Sequence, residues 1–230
     1  MTQYNRSNQE ALQAIREHHA ILLEDMEVLT SKANIKDTSN KIEFYKKLLP
    51  LLHFVSFEVI PHALAEEKVI YSKAFLQPDL KELVAALTSE HQQIVKTTIK
   101  LPDVPSWQVE SSLTDLYLTF SRHVQKENDS LLTRLAKDQV DLNELLIKMH
   151  SEIEQLTPNI ELMNVKETQD SDIALASLIT RASKLLYRSG SQLEALELIC
   201  QTWKILQAKR PDLSHNVLEL GIRLFEEEGS

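Results

Sequence analysis

A chain of 230 residues with 43% hydrophobic content, 6% aromatics and only three glycines can build a sizeable core but is poor in turn-forming residues. Its formal charge of −9 argues against the clustered cationic surface that nucleic acid or anionic lipid would need. The single cysteine, Cys200, excludes an internal disulfide and any cysteine-based zinc or iron–sulfur site within one chain, so a reducing, cytoplasmic setting is expected. The polar start MTQYNRSNQE lacks a signal peptide's apolar stretch, and no apolar run approaches the roughly 20 residues that span a bilayer. Neither nucleic acid nor membrane is expected among the partners.

Abundant Leu, Glu, Gln and Ala, without alternating runs of Val, Ile and Thr, predict an all-α fold. The first helix runs from near Ser7 to about Thr30, its apolar positions including Leu12, Ile15, Leu22, Leu23, Met26 and Leu29. After a polar connection, a second segment spans about Lys41 to Phe75, with a break expected near Pro50 and a kink at Pro61. A third helix starts after Pro78 and ends near Lys100; LPDVPS is a linker. A fourth follows from about Trp107 to Ala136 and a fifth from about Leu142 to Leu156. The stretch from Leu156 to Asp172, with Pro158, reads as a boundary between residues 1–156 and a helical region over 157–230. Three shorter helical patterns follow, around 173–188, 191–209 and 213–228, hinged at Ser189-Gly190 and Arg210-Pro211-Asp212.

A faint duplication crosses the first part. Glu17-His18 with Ile21 recurs as Glu90-His91 with Ile94, and each copy precedes a His-x-x-x-Glu, His62 to Glu66 and His123 to Glu127. Positions i and i+4 lie about 40° apart on a helix, so each such pair can aim an imidazole and a carboxylate at one point. His18 and His91, from the first and third helices, can complete a set of four imidazoles and two carboxylates. That donor set suits a pair of first-row divalent ions, iron above all. Two carboxylates against two ferrous ions leave a charge of +2, which favours a bridging hydroxide or oxide, and coordination positions remain open for a small ligand. The motif alone carries little weight, because His150/Glu154 and His215/Glu219 repeat it and read as ordinary solvated helix pairs. Context favours the first two copies, since each follows a Glu-His helix in an alternating up-down order.

Neighbouring residues have their own readings. His19 is turned about 100° from His18 and is the alternative member from the first helix. Glu58, one turn before His62, is a candidate extra or supporting carboxylate. Glu67 reads as solvated and His53 as a core or surface histidine. Tyr45, Tyr71 and Tyr117 could line a pocket, but core packing is the reading preferred. Ferritin-like Glu-x-x-His, the zinc-protease His-Glu-x-x-His and a glycine-rich phosphate loop are all missing.

The segments REHHAIL, VIPHALAEEKVIY, SEHQQIV and SRHVQKEND resemble the hemerythrin-like, HHE cation-binding family over roughly residues 7–137. The resemblance implies a hemerythrin-like up-down four-helix bundle with an additional C-terminal helical region. It also implies a di-iron centre on His18, His62, Glu66, His91, His123 and Glu127, with Glu66 and Glu127 as bridging carboxylates. Two departures stand out: Val95 where oxygen-carrying hemerythrins proper have a second third-helix histidine, and Asn128 where the family often has a second Glu. The expected function is a di-iron protein binding oxygen or nitric oxide as sensor, carrier or scavenger. Alternatives are a di-iron oxygenase acting on an organic substrate, iron–sulfur cluster repair (for which the cysteine-bearing N-terminal segment of such proteins is missing), or a metal-free interaction protein. The C-terminal helices, which vaguely resemble one tetratricopeptide hairpin around Leu186, Gly190 and Ala195, are expected to cap the bundle, support a homodimer or dock a protein partner.

Overall fold

The computed structural model describes residues 7–34, 41–156, 183, 192–207 and 210–226, and every regular element among them is helical. Helix α1 (Asn8–Ala33) begins at a capping box, in which the Ser7 hydroxyl accepts the Glu10 amide and the Glu10 carboxylate accepts the Ser7 amide. Its buried residues Ala11, Ile15, His19, Leu22, Met26, Thr30 and Ala33 form one stripe at three- and four-residue intervals.

Helix α2 runs unbroken to Ala74, its α segments Lys41–Phe54, Ile60–Glu66 and Ser72–Ala74 joined by π turns at Val55–Val59 and Glu67–Tyr71. The break expected near Pro50 does not occur. Pro50 forfeits one backbone bond, but Leu48, Leu49, Leu51 and Leu52 around it are fully buried, and that packing offsets the loss. At Pro61 a π turn directly precedes the proline, with the Ile60 amide bonded to the Val55 carbonyl; the widened turn accommodates a ring that a tight helix would not. By length and composition α2 could cross a bilayer, contrary to the sequence expectation, yet two-thirds of its most apolar window is buried inside the bundle.

A 3₁₀ turn at Pro78–Leu80 leads into α3 (Lys81–Lys100), and 3₁₀ turns at Leu101–Asp103 and Ser106–Gln108 form the proline-rich linker. Helix α4 then runs from Val109 to Lys137, with a π turn at Glu127–Leu131 between its α segments Val109–Lys126 and Leu132–Lys137. Helices α1 to α4 close a ring in which α1 packs on α2 and α4, and α3 packs on α4 and α2. Gln139, at φ 57°, makes the turn into α5 (Leu142–Leu156). Asn8 secures that turn, donating to the Val140 carbonyl at 2.8 Å and accepting the Leu142 amide at 2.9 Å.

Two C-terminal helices, α6 (Gln192–Leu206) and α7 (Pro211–Glu226), lie against the first half of α2 and share its core. Trp203 is fully buried there and donates to Ser56 Oγ at 3.1 Å. Gly221 lets α7 approach closely, since a Cβ at that position would meet Leu49 Cδ1 at 2.8 Å. Apart from residue 183, the helix expected around 173–188 lies outside the described residues, as do the Ser189-Gly190 hinge and the boundary stretch past Leu156.

The apolar interior has two parts. One contains Leu22, Met26, Val59, Ile94, Phe120 and Val124 with the α6–α7 residues; the other contains Ile15, Ala65, Ile70, Leu87 and Leu131 with the α5 residues. On α1 and α3, His19 and His91 fall between residues of the two clusters, and on α2 and α4 the stretches from His62 to Glu66 and from His123 to Glu127 lie where one cluster gives way to the other. A polar layer therefore crosses the bundle between two apolar ones.

Candidate metal centre

Six buried side chains meet in that layer: His19, His62, Glu66, His91, His123 and Glu127, each no more than 6% exposed. Helix α2 supplies His62 and Glu66 one turn apart, and α4 supplies His123 and Glu127 likewise. Two groups of three result, His19 with His62 and Glu66, and Glu66 with His91 and His123, the ligand atoms in each lying within 4.8 Å of one another. Glu66 belongs to both. Its Oε1 lies 3.0 Å from His19 Nε2 and 2.9 Å from His62 Nε2, while its Oε2 lies 3.6 Å from His91 Nε2. Glu127 is less symmetric: Oε2 faces His123 Nε2 at 3.3 Å and His19 Nε2 at 3.8 Å, and Oε1 accepts the Tyr71 hydroxyl at 2.5 Å.

Of the two histidines on α1, His19 enters the cluster and His18 does not. His18 is exposed, its ring centroid 4.8 Å from that of His62 on the outer side. On a regular helix His18 lies about 60° to one side of Ile15 and His19 about 40° to the other, so the buried stripe favours His19 by a small margin only. The duplication that paired Glu17-His18 with Glu90-His91 is therefore out of register by one residue. Glu58 also stays out; it is exposed, and the π turn at Val55–Val59 removes the α-helical phase that would have stacked it beneath His62.

Several partners escaped the sequence reading. Glu67, expected to be solvated, accepts from His91 Nδ1 at 2.8 Å. Glu90 accepts from His123 Nδ1 at 3.3 Å and also pairs with Lys126. Asn128 Oδ1 accepts from His19 Nδ1 at 2.9 Å, while its carbonyl is held by Arg16. Tyr71 lies parallel to His91, ring centroids 5.5 Å apart, and donates to Glu127 rather than merely filling the core. The only sequence sign of these roles is adjacency, Glu67 following Glu66, Asn128 following Glu127 and Glu90 preceding His91. Tyr45 is core, its hydroxyl turned to the Pro102 carbonyl, and Tyr117 packs at the core's edge. His150 is exposed, but His215 is buried edge-on against Phe57, ring centroids 4.0 Å apart, rather than solvated.

Charges within the layer compensate one another. Burial opposes the Glu66 carboxylate, yet His62, His19 and His91 together hold it well below the usual carboxylate range. Burial works against a charged His19, but its bond to Glu66 and the charge of Glu127 prevail and raise it to about 9. His91 is raised to about 9 in the same way, against burial, by Glu66 and Glu67. Burial, then Glu127 and Glu66, push the Tyr71 phenol well above 10, so its hydroxyl remains a donor. Outside the layer, the covering of one side of the otherwise exposed His18 ring, followed by the charges of His62 and His19, depresses it to about 4.

The donor set fits a metal pair. Four imidazole nitrogens and carboxylate oxygens match first-row divalent ions. Three of the four imidazoles are oriented through Nδ1 by an acceptor, which leaves Nε2 aimed inwards, as ligating histidines require. The six side chains themselves, with Leu22, Val59, Ala63, Phe120 and Val124, line a space of about 10 Å³ between them, room for one water-sized body.

Comparison with known proteins agrees on the family. The hemerythrin HHE cation binding domain matches residues 10–135, more than half of the chain. No curated protein and no solved structure matches. The chain belongs to the hemerythrin HHE cation-binding family, a metal-binding helical bundle extended here by three further helices among the described residues.

Proposed function

We propose that the protein binds two iron ions per chain and uses them to bind a small diatomic ligand, oxygen or nitric oxide, as sensor, carrier or scavenger. The observation that carries this reading is Glu66 spanning two histidine pairs. His19, His62, His91, His123, Glu66 and Glu127 would hold the ions. An iron pair supplies one-electron redox chemistry and open positions for a neutral ligand.

The chain's own groups shape the rest. Leu22, Val59, Phe120 and Val124 exclude bulk water from the cavity and present no competing donor. Tyr71 donates its hydroxyl proton in a hydrogen bond to Glu127 Oε1, which leaves Oε2 facing the histidines.

The test is metal content and the ultraviolet–visible spectrum of anaerobically prepared protein, before and after oxygen or nitric oxide. About two irons per chain and a spectral change on gas addition, both lost in His62→Ala/His123→Ala, are expected from the donor set. Protein that takes up no iron after anaerobic reconstitution sinks the proposal. Oxygen uptake that depends on an added organic compound points instead to an oxygenase.

A further inference from the structure

Both halves of the centre present two histidines, but what stands behind those histidines differs. Behind His91 and His123 are carboxylates, Glu67 at 2.8 Å and Glu90 at 3.3 Å from the respective Nδ1 atoms. Behind His19 is the neutral Asn128 amide at 2.9 Å. Behind His62, among the described residues, there is no such group: its Nδ1 is buried and has no hydrogen-bond partner among them. A carboxylate accepting from Nδ1–H pushes electron density to Nε2 and makes the imidazole a stronger ligand; a neutral amide does so less. For His62, ligation through Nε2 leaves a buried N–H with no acceptor, which costs free energy that the other three do not incur.

We propose that the two metal positions are unequal, the His91/His123 position filling first and holding its ion more tightly, and the His19/His62 position filling second and exchanging it. This rests on the metal-pair reading above, and it assigns Glu67, Glu90 and Asn128 as the positioning residues that set the difference. Glu66 is common to both positions and Glu127 reaches a histidine of each, at 3.3 Å for His123 and 3.8 Å for His19, so the groups behind the histidines are what differ in kind between the two. Lys126 neutralises part of Glu90's charge, which leaves Glu67 the stronger of the two supports.

The experiment is a titration of metal-free, full-length protein with Co²⁺, followed by calorimetry and by the visible ligand-field spectrum. Two binding events are expected, their affinities separated by about ten- to a hundredfold, the usual weight of such supporting partners. Glu67→Gln is expected to weaken the first event by about tenfold or more and leave the second in place. Asn128→Asp hands His19 a carboxylate beside Arg16 and is expected to strengthen the second event. Two Co²⁺ binding with one common affinity overturns the inequality while leaving a two-metal centre intact. So does a first event untouched by Glu67→Gln, or a second untouched by Asn128→Asp. No Co²⁺ bound at all overturns the metal pair itself, and with it this inference.

Discussion

Tyr71→Phe isolates one atom of the polar layer. The substitution keeps the ring stacked parallel to His91 and removes only the hydroxyl that donates to Glu127 Oε1. Both residues are 2% exposed, so solvent cannot replace the lost donor without the helices separating. A hydrogen bond to a buried charged group contributes about 1.5–3 kcal/mol, and the carboxylate left behind forfeits its desolvation compensation. For a chain of this size each kcal/mol moves the midpoint by about 2–4 °C, which gives a loss of roughly 3–12 °C. The assay is thermal and urea unfolding of metal-free protein, with Glu127→Gln and the double variant closing a cycle. A coupling of at least about 1 kcal/mol between the two positions is expected. A Tyr71→Phe protein within about 0.5 kcal/mol of the parent, the range of an ordinary surface change, would refute the hydroxyl's role.

The α1 histidines separate cleanly in a metal-loading assay: His19→Ala is expected to lose one metal equivalent, whereas His18→Ala retains both. Trp203→Ala, which empties a fully buried indole and orphans Ser56, is expected to cost about 3–5 kcal/mol and expose α2 to proteolysis near Ser56. The α7–α2 contact should also weaken in acid. Burial and then His53 depress His215 to about 4, burial lowers His53, and Glu219 opposes both shifts incompletely. For a histidine whose folded value is depressed, the unfolded chain takes up the proton first, so stability falls as pH drops from 6.5 towards 4. His215→Leu is expected to flatten that limb of the stability–pH curve.

Much of the helical layout was legible from periodicity and proline placement, because each depends on neighbours within a turn or two. The pairs His62/Glu66 and His123/Glu127 were legible for the same reason: a shared helix face fixes them. His19 was not, because Ile15, Leu22 and Met26 define a stripe whose axis passes between positions 18 and 19. Glu67, Glu90 and Asn128 were illegible in a different way. Each serves a histidine on another helix, and only tertiary packing decides which one. The unbroken helix through Pro50 shows the same override, local propensity yielding to four fully buried leucines.

The π turns are the least legible feature, since no residue type announces them, yet one of them builds the site. In an uninterrupted α-helix Tyr71, five residues after Glu66, would point about 140° away from it. The turn at Glu67–Tyr71, closed by the Ser72 amide on the Glu67 carbonyl, accommodates one extra residue and cuts that angle to about 40°. Tyr71 thereby returns to the inner face and meets Glu127. The extra residue is then dispensable to the placement of Tyr71. Deleting Lys68, whose exposed ammonium pairs with Glu152 at the surface, leaves the tyrosine four residues after Glu66 in a plain α-helix at the same angle. The shortened protein is expected to fold, to bind the same number of metal ions, and still to lose stability on Tyr71→Phe. If Tyr71→Phe is silent in that background, the phase argument fails, and the tyrosine owes its position to packing against His91 rather than to the turn.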